Sequence, residues 1–156
     1  MTTAKTRAKI YYDVNDALVS RDRQNCLTRD IQMVTGQKPE LIQKRERAKA
    51  LVIVGTIEKN QWICELAQKG KIDIRPLQGA WERYLIQTVD NPSPGVAKAL
   101  VIAGSDRRGA AYGLFSISEM MGVSPWYWWG DVPVKTHKAL YVDAPPTYFK
   151  TTFREI

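Results

Sequence analysis

Three stretches of this chain bring together residue types that could do chemistry. The first is Ala103-Gly104-Ser105-Asp106-Arg107-Arg108-Gly109, which joins an apolar run to a helical pattern. Backbone N–H groups at such a junction can cradle an anion, because the first turn of a helix leaves its amides unpaired. The stretch lacks the Gly-Lys-Ser/Thr ending of a Walker A loop and is not GxGxxG. A plainer reading uses the same residues: Ser105 or Asp106 caps the helix and the glycines make the turn. The spacing favours the plainer one.

The second stretch, Val54-Gly55-Thr56, is another junction of apolar run, glycine and polar residue. Alone it reads as a structural turn. The third, Trp126-Tyr127-Trp128-Trp129-Gly130-Asp131, puts four aromatics in a row between Pro125 and Pro133. In a strand, successive side chains point to opposite faces, so alternate rings would be exposed. Exposed aromatics mark binding surfaces. Asp131 could then accept hydrogen bonds from a sugar hydroxyl or pair with Arg. Core filling plus a docking face for a neighbouring domain explains the run equally well, and both readings stay open here.

Other candidates are thin. The single His137 sits in the polar Lys135-Thr136-His137-Lys138, with no nucleophile or metal ligand in sequence reach. No two carboxylates stand out as an acid–base pair for glycoside hydrolysis. Cys26 and Cys64 lie in helical patterns beside Leu27 and Ile63, and read as buried free thiols without metal or redox spacing. No cofactor and no metal are expected.

Length and composition bound the rest. The 156 residues are 44% hydrophobic and 25% charged, the proportions of a globular domain. No apolar run approaches the ~18–20 residues of a membrane helix, so no membrane partner is expected. A (β/α)8 barrel takes about 250 residues, more than the chain has. The net charge of +7 is uneven: residues 1–50 hold 11 basic and 6 acidic groups, residues 51–156 hold 12 and 10. The dense run Lys44-Arg45-Glu46-Arg47-Ala48-Lys49 reads as a solvated loop. The opening Met1-Thr2-Thr3-Ala4-Lys5 is polar, so no signal peptide is expected.

The elements that must position these residues follow from periodicity. Ile10-Tyr11-Tyr12 reads as a first strand. Ser20 can cap a helix to about Thr35, with Leu27, Ile31 and Val34 as its apolar stripe and Gly36 in the left-handed position after it. Leu51-Val52-Ile53-Val54 fits a strand covered on both faces. Asn60 can cap a second helix that buries Trp62, Ile63, Leu66 and Ala67 and stops at Gly70. Ile72 and Ile74 read as a short extended piece. Residues 81–89 alternate as a strand, 91–95 read as a turn, and 99–103 as the returning strand of a hairpin. A third helix spans about Arg107 to Met121, with Ala110, Leu114, Ile117 and Met121 inward. Short strands are expected at 140–142 and 148–152. The sum is an α/β two-layer sandwich, a mixed β-sheet with about three helices.

One extended set of residues resembles a known family. Residues 99–114, then Ser118-Glu119, then Gly122-Val123-Ser124-Pro125-Trp126-Tyr127-Trp128-Trp129-Gly130-Asp131-Val132-Pro133-Val134, resemble the N-terminal domain of glycoside hydrolase family 115. Support comes from Asp30-Ile31, Val34-Thr35-Gly36, Val54-Gly55-Thr56, Gly79-Ala80-Trp81-Glu82, Asn91-Pro92 and Pro94-Gly95, in family order. The likeness runs from about residue 8 to about 143, and the Ser-Pro-Trp-Tyr-Trp-Trp run is its most specific part. Gly130 stands where the family usually has Ala. The tail from Pro145 to Ile156 does not match the family's approach to its barrel, which reads Tyr-Arg-Gly and soon Asn-Asp-Glu.

The resemblance implies a fold, a parent activity and partners. These enzymes are xylan α-1,2-glucuronidases, which remove glucuronic acid or its 4-O-methyl ether from glucuronoxylan and are commonly secreted or periplasmic. Their N-terminal α/β domain precedes a catalytic (β/α)8 barrel. Residues 1–143 would correspond to that domain, with 144–156 a tail. The chain would be a non-catalytic fragment, with no catalytic residue of its own, whose partners are the absent barrel and, through it, the glucuronoxylan-type carbohydrate. Self-association through an uncovered aromatic face is a further expectation. Ser105, Asp106, Arg107, Arg108, Trp128, Trp129 and Asp131 would be the substrate-binding residues, lining the uronic-acid pocket. Two rivals come from another class: a basic nucleic-acid-binding module stacking bases on the aromatic run, and a small nucleotide-binding α/β protein using the 103–109 turn.

Overall fold

The computed structural model describes residues 9–13, 27–33, 36, 38–120 and 147–150. Six strands form one mixed sheet in the order β2-β1-β3-β5-β4-β6. They are β1 (Lys9–Tyr11), β2 (Glu40–Ile42), β3 (Ala48–Thr56), β4 (Arg83–Ser93), β5 (Val96–Gly104) and β6 (Thr147–Lys150). The first four in space run parallel, while β4 is antiparallel to β5 and β6 to β4. Among the described residues the helices are α1 (27–33), α2 (Gln61–Gln68) and α3 (Arg107–Met120). The α/β class, the mixed sheet and the three helices are those expected.

The continuous apolar runs are explained by burial on both faces. Successive strand residues alternate sides, so Ile53, Leu85 and Val101 pack with Trp62, Ile63 and Leu66 of α2. Their neighbours Val54, Ile86 and Ile102 pack with Leu27 and Ile31 of α1 and with Ala110, Leu114 and Ile117 of α3. Central strands therefore carry no polar side, and the period-two signal vanishes from Leu51-Val52-Ile53-Val54.

Local chemistry sets the helix ends. Asn60 is the N-cap of α2: its Oδ1 accepts from Trp62 N and Ile63 N, both at 3.1 Å. Its Nδ2 donates to Val54 O at 3.1 Å, tying the cap to the strand below. Gly70 follows the helix at φ +72°, as the expected stop. Cys64 is partly rather than fully buried, and its thiol donates to Ile57 O at 3.1 Å.

Several details depart from the sequence reading, among them Ala48 and Lys49, which open β3 where the basic run reads as a loop. Residues 81 and 82 are not part of β4, which begins at Arg83, because Glu82 adopts φ +53°. The strand runs on through the expected turn to Ser93, across a register irregularity between Asp90 and Ser93 with Asn91 at φ +49°. That irregularity accommodates Pro92, which has no N–H for a ladder. Ile72 and Ile74 lead into a 3-10 turn, Arg75–Leu77, rather than an extended piece, with Pro76 suited to its first turn. Strand β2 went unread: it is three residues long and only Ile42 is buried.

Strand β6 falls within the 144–156 tail and pairs with β4, Tyr84 opposite Phe149. The aromatic run with Trp128, Trp129 and Asp131 lies outside the described residues, as do Cys26, His137 and the strand expected at 140–142.

Candidate functional site

The 103–109 turn is described in full, and it is tightly filled. Asp106 is the residue before α3, and its Oδ1 accepts from Gly109 N at 2.8 Å. This is the N-cap bond, so of the two candidate caps the structure uses Asp106. Its Oδ2 accepts from Glu82 N at 2.9 Å. Its carbonyl accepts the first helical bond, from Ala110 N at 3.1 Å. Ser105 clamps the residue after Glu82, Arg83. Its hydroxyl accepts from Arg83 N at 3.0 Å, and its own N–H donates to Arg83 O at 2.8 Å.

The glycines are required by close approach. A Cβ on Gly104 would lie 2.2 Å from Ala110 N, and one on Gly109 would lie 2.2 Å from Arg83 O. The helix N-terminus is thus pressed directly onto the backbone at the start of β4. An added anion would compete with a carboxylate already seated on the amides, and like charge opposes it. The arrangement fits a structural junction better than an open phosphate cradle.

Val54-Gly55-Thr56 is not the turn its glycine suggests: it closes β3, paired with β5 to its last residue, and the turn follows at 57–59. Thr56 is buried, its carbonyl accepts from Asn60 N at 3.2 Å, and Ile57 N donates to Gly104 O at 3.0 Å. The ends of β3 and β5 are therefore one connected patch. Asp13, just past β1, joins it: Asp13 Oδ2 accepts from Gln61 N at 3.1 Å, at the start of α2.

Around this patch the surface is cationic and aromatic. Arg107 and Arg108 are exposed at the first positions of α3. Arg108 donates to Glu82 Oε1 at 3.0 Å, and this bond pushes its pKa up from the ordinary arginine value. Glu82 is thereby held from both ends in a left-handed conformation that costs a non-glycine residue about 1–2 kcal/mol. Immediately before it, Trp81 is 83% exposed. On the far side of this loop, Arg75 forms a two-pronged pair with Asp73, at 2.9 and 2.8 Å, which lowers the Asp73 pKa to about 2.

Of the residues expected at a site, the structure brings Ser105, Asp106, Arg107 and Arg108 together, the first two bonded inward and the arginines outward. Asp13, Trp81 and Glu82 went unassigned. Asp13 and Glu82 act on residues 48 and 26 positions away, which leaves no local signal. Trp81 reads in the sequence as the first residue of a strand pattern. Among the described residues, no group of three or more His, Cys, Asp or Glu is placed to hold a metal, and no helix is long and apolar enough to cross a membrane.

Neither a protein-family model nor a curated protein matches the chain. Solved structures do. One is BtGH115A, described as a family GH115 4-O-methyl-α-glucuronidase with specificity for decorated arabinogalactans. It superposes with a TM-score of 0.74 at 27% identity, over 95% of this chain and 18% of that one. Another is CpGH84D, at a TM-score of 0.57 and 12% identity, over 79% of this chain and 19% of that one, a likeness of fold alone. The chain thus spans under a fifth of either neighbour. In its motifs and in its fold alike, the chain is similar to the N-terminal domain of glycoside hydrolase family 115.

Proposed function

We propose that residues 1–143 form the non-catalytic N-terminal domain of a glycoside hydrolase related to the xylan α-1,2-glucuronidases, with residues 144–156 as its connecting tail. The domain packs against a catalytic barrel carried by a longer polypeptide. One observation carries the reading: the superposition uses 95% of this chain and only 18% of a 4-O-methyl-α-glucuronidase. The chemistry of such an enzyme then resides in the portion that this chain does not cover.

In this role the turn at Ser105 and Asp106 sets the position of the α3 N-terminus, and Arg107 and Arg108 extend from it toward the uronic acid. A guanidinium matches a carboxylate with two parallel hydrogen bonds, so arginine suits a sugar acid better than lysine does. Trp128, Trp129 and Asp131 supply sugar-side contacts from the aromatic run. The exposure of both arginines on an anchored turn supports this assignment.

The test is turnover. The purified chain, incubated with glucuronoxylan and with a glucuronic-acid-bearing arabinogalactan, is expected to release no uronic acid. Repeated release by this polypeptide alone would show that it holds its own catalytic groups and would overturn the proposal.

A further inference from the structure

We infer that Trp81 and Arg83 form a binding site for a carboxylated sugar residue, on the loop that leads into β4. The inference rests on the glycoside-hydrolase reading above and adds a site to it. The loop borders a surface cavity of about 430 Å³, lined by Arg75, Pro76, Gln78, Trp81 and Arg83 among others.

The loop is anchored at both ends. Before the tryptophan, Leu77 of the 3-10 turn is fully buried, and Gln78 N and Ala80 N bond back to Ile74 O and Leu77 O at 3.2 Å each. After it, Glu82 is fixed by Asp106 and Arg108. Trp81 is nonetheless 83% exposed, so a rigid support presents the indole to solvent. A flat aromatic face of this kind stacks on the apolar C–H face of a sugar ring, a contact open to any pyranose.

The charge at the cavity supplies the choice of sugar. Arg75 is neutralised by Asp73, and Arg108 by Glu82. Arg83 is different. Its Nη1 donates to the neutral Pro76 carbonyl at 3.3 Å, and among the described residues no carboxylate pairs with it. It is only partly exposed, so water screens it less than a surface arginine. A guanidinium carries five N–H donors, and a carboxylate arriving from the Trp81 side would complete a pair that no described residue makes. A neutral sugar would gain the stacking contact and not the ion pair.

The experiment is a calorimetric titration of the full chain with a glucuronic-acid-substituted xylo-oligosaccharide and with the unsubstituted oligosaccharide of the same length. Wild type is expected to bind the acidic ligand at least tenfold more tightly. Trp81→Ala should weaken both ligands at least tenfold, and Trp81→Tyr should restore most of the loss. Arg83→Gln keeps a donor for Pro76 and should reduce the acidic ligand to the level of the neutral one. A thermal melt of each variant checks folding, and the exposed Trp81→Ala should melt as wild type does. Wild type that binds neither sugar, or variants that bind both as wild type does, would overturn the site, the second outcome pointing to a protein-facing role for Trp81. Neither bears on the domain reading, which stands or falls on uronic-acid release.

Discussion

Gly109→Ala is expected to destabilise the chain by about 3 kcal/mol, at the upper end of what overpacking costs. Helix propensity alone gives the opposite sign. Gly109 lies in the first turn of α3, where Ala is ordinarily favoured over Gly by up to about 1 kcal/mol. The new methyl would stand 2.2 Å from Arg83 O and 3.1 Å from its carbonyl carbon. Backbone cannot swing aside as a side chain does, and Arg83 O is already held by Ser105 N at 2.8 Å. Relief therefore means prising α3 from β4 and stretching the Ser105 and Asp106 bonds together. Gly113→Ala is the comparison, since its Cβ would meet a methyl of the buried Ile102 at 2.5 Å, a side-chain contact in place of a backbone one. Urea denaturation decides the matter: the midpoint for Gly109→Ala should fall well below that for Gly113→Ala, at unchanged slope. A stabilised Gly109→Ala would mean the close approach is absent.

Trp62→Ala should cost about 3–5 kcal/mol, the range for truncating a buried aromatic. Trp62 is 1% exposed, under the sheet face that α2 covers. Tyr11 meets it edge-on, with centroids 4.7 Å apart and planes at 78°, and Arg45 lies 4.9 Å from the ring centroid. Arg45 also bonds Glu65 at 2.7 Å, an interaction that holds the Glu65 carboxyl below its usual range. Truncation leaves a cavity beneath this group and removes the surface that orients Arg45. Domains of this size are stable by about 5–15 kcal/mol, so the variant should sit near the edge of folding. Loss of less than 1 kcal/mol in a thermal or urea melt would show that α2 is not packed as described.

Much of this architecture was legible because its causes are local. Asn60 and Asp106 sit directly before helical patterns and satisfy amides two or three residues on. The runs at Leu51-Val52-Ile53-Val54 and Ala99-Leu100-Val101-Ile102-Ala103 are apolar on both sides because both sides are covered. What stayed hidden is set by distant partners. The left-handed backbone at Glu82 depends on Asp106 and Arg108, and no residue next to Glu82 announces it. That one residue ends the alternation begun at Trp81 and turns an apparent strand residue into a solvent-facing ring. Strand β2 is too short for a period, and the pairing of β6 with β4 joins segments more than fifty residues apart. At the site, Ser105 and Asp106 were legible as a turn, while the company they keep was not. Trp81 carried a family motif without a visible role until the loop around it was placed.

The most direct single measurement is a residue-resolved amide titration of the full chain by nuclear magnetic resonance. It reads residues 79–83 and 105–109 as a glucuronic-acid-bearing oligosaccharide and, separately, a nucleoside triphosphate are added. Shifts are expected to saturate with the sugar acid and leave the core strands in place, with no response to the nucleotide beyond general salt effects. Saturating shifts at 105–109 with the nucleotide, and none with the sugar, would contradict this expectation.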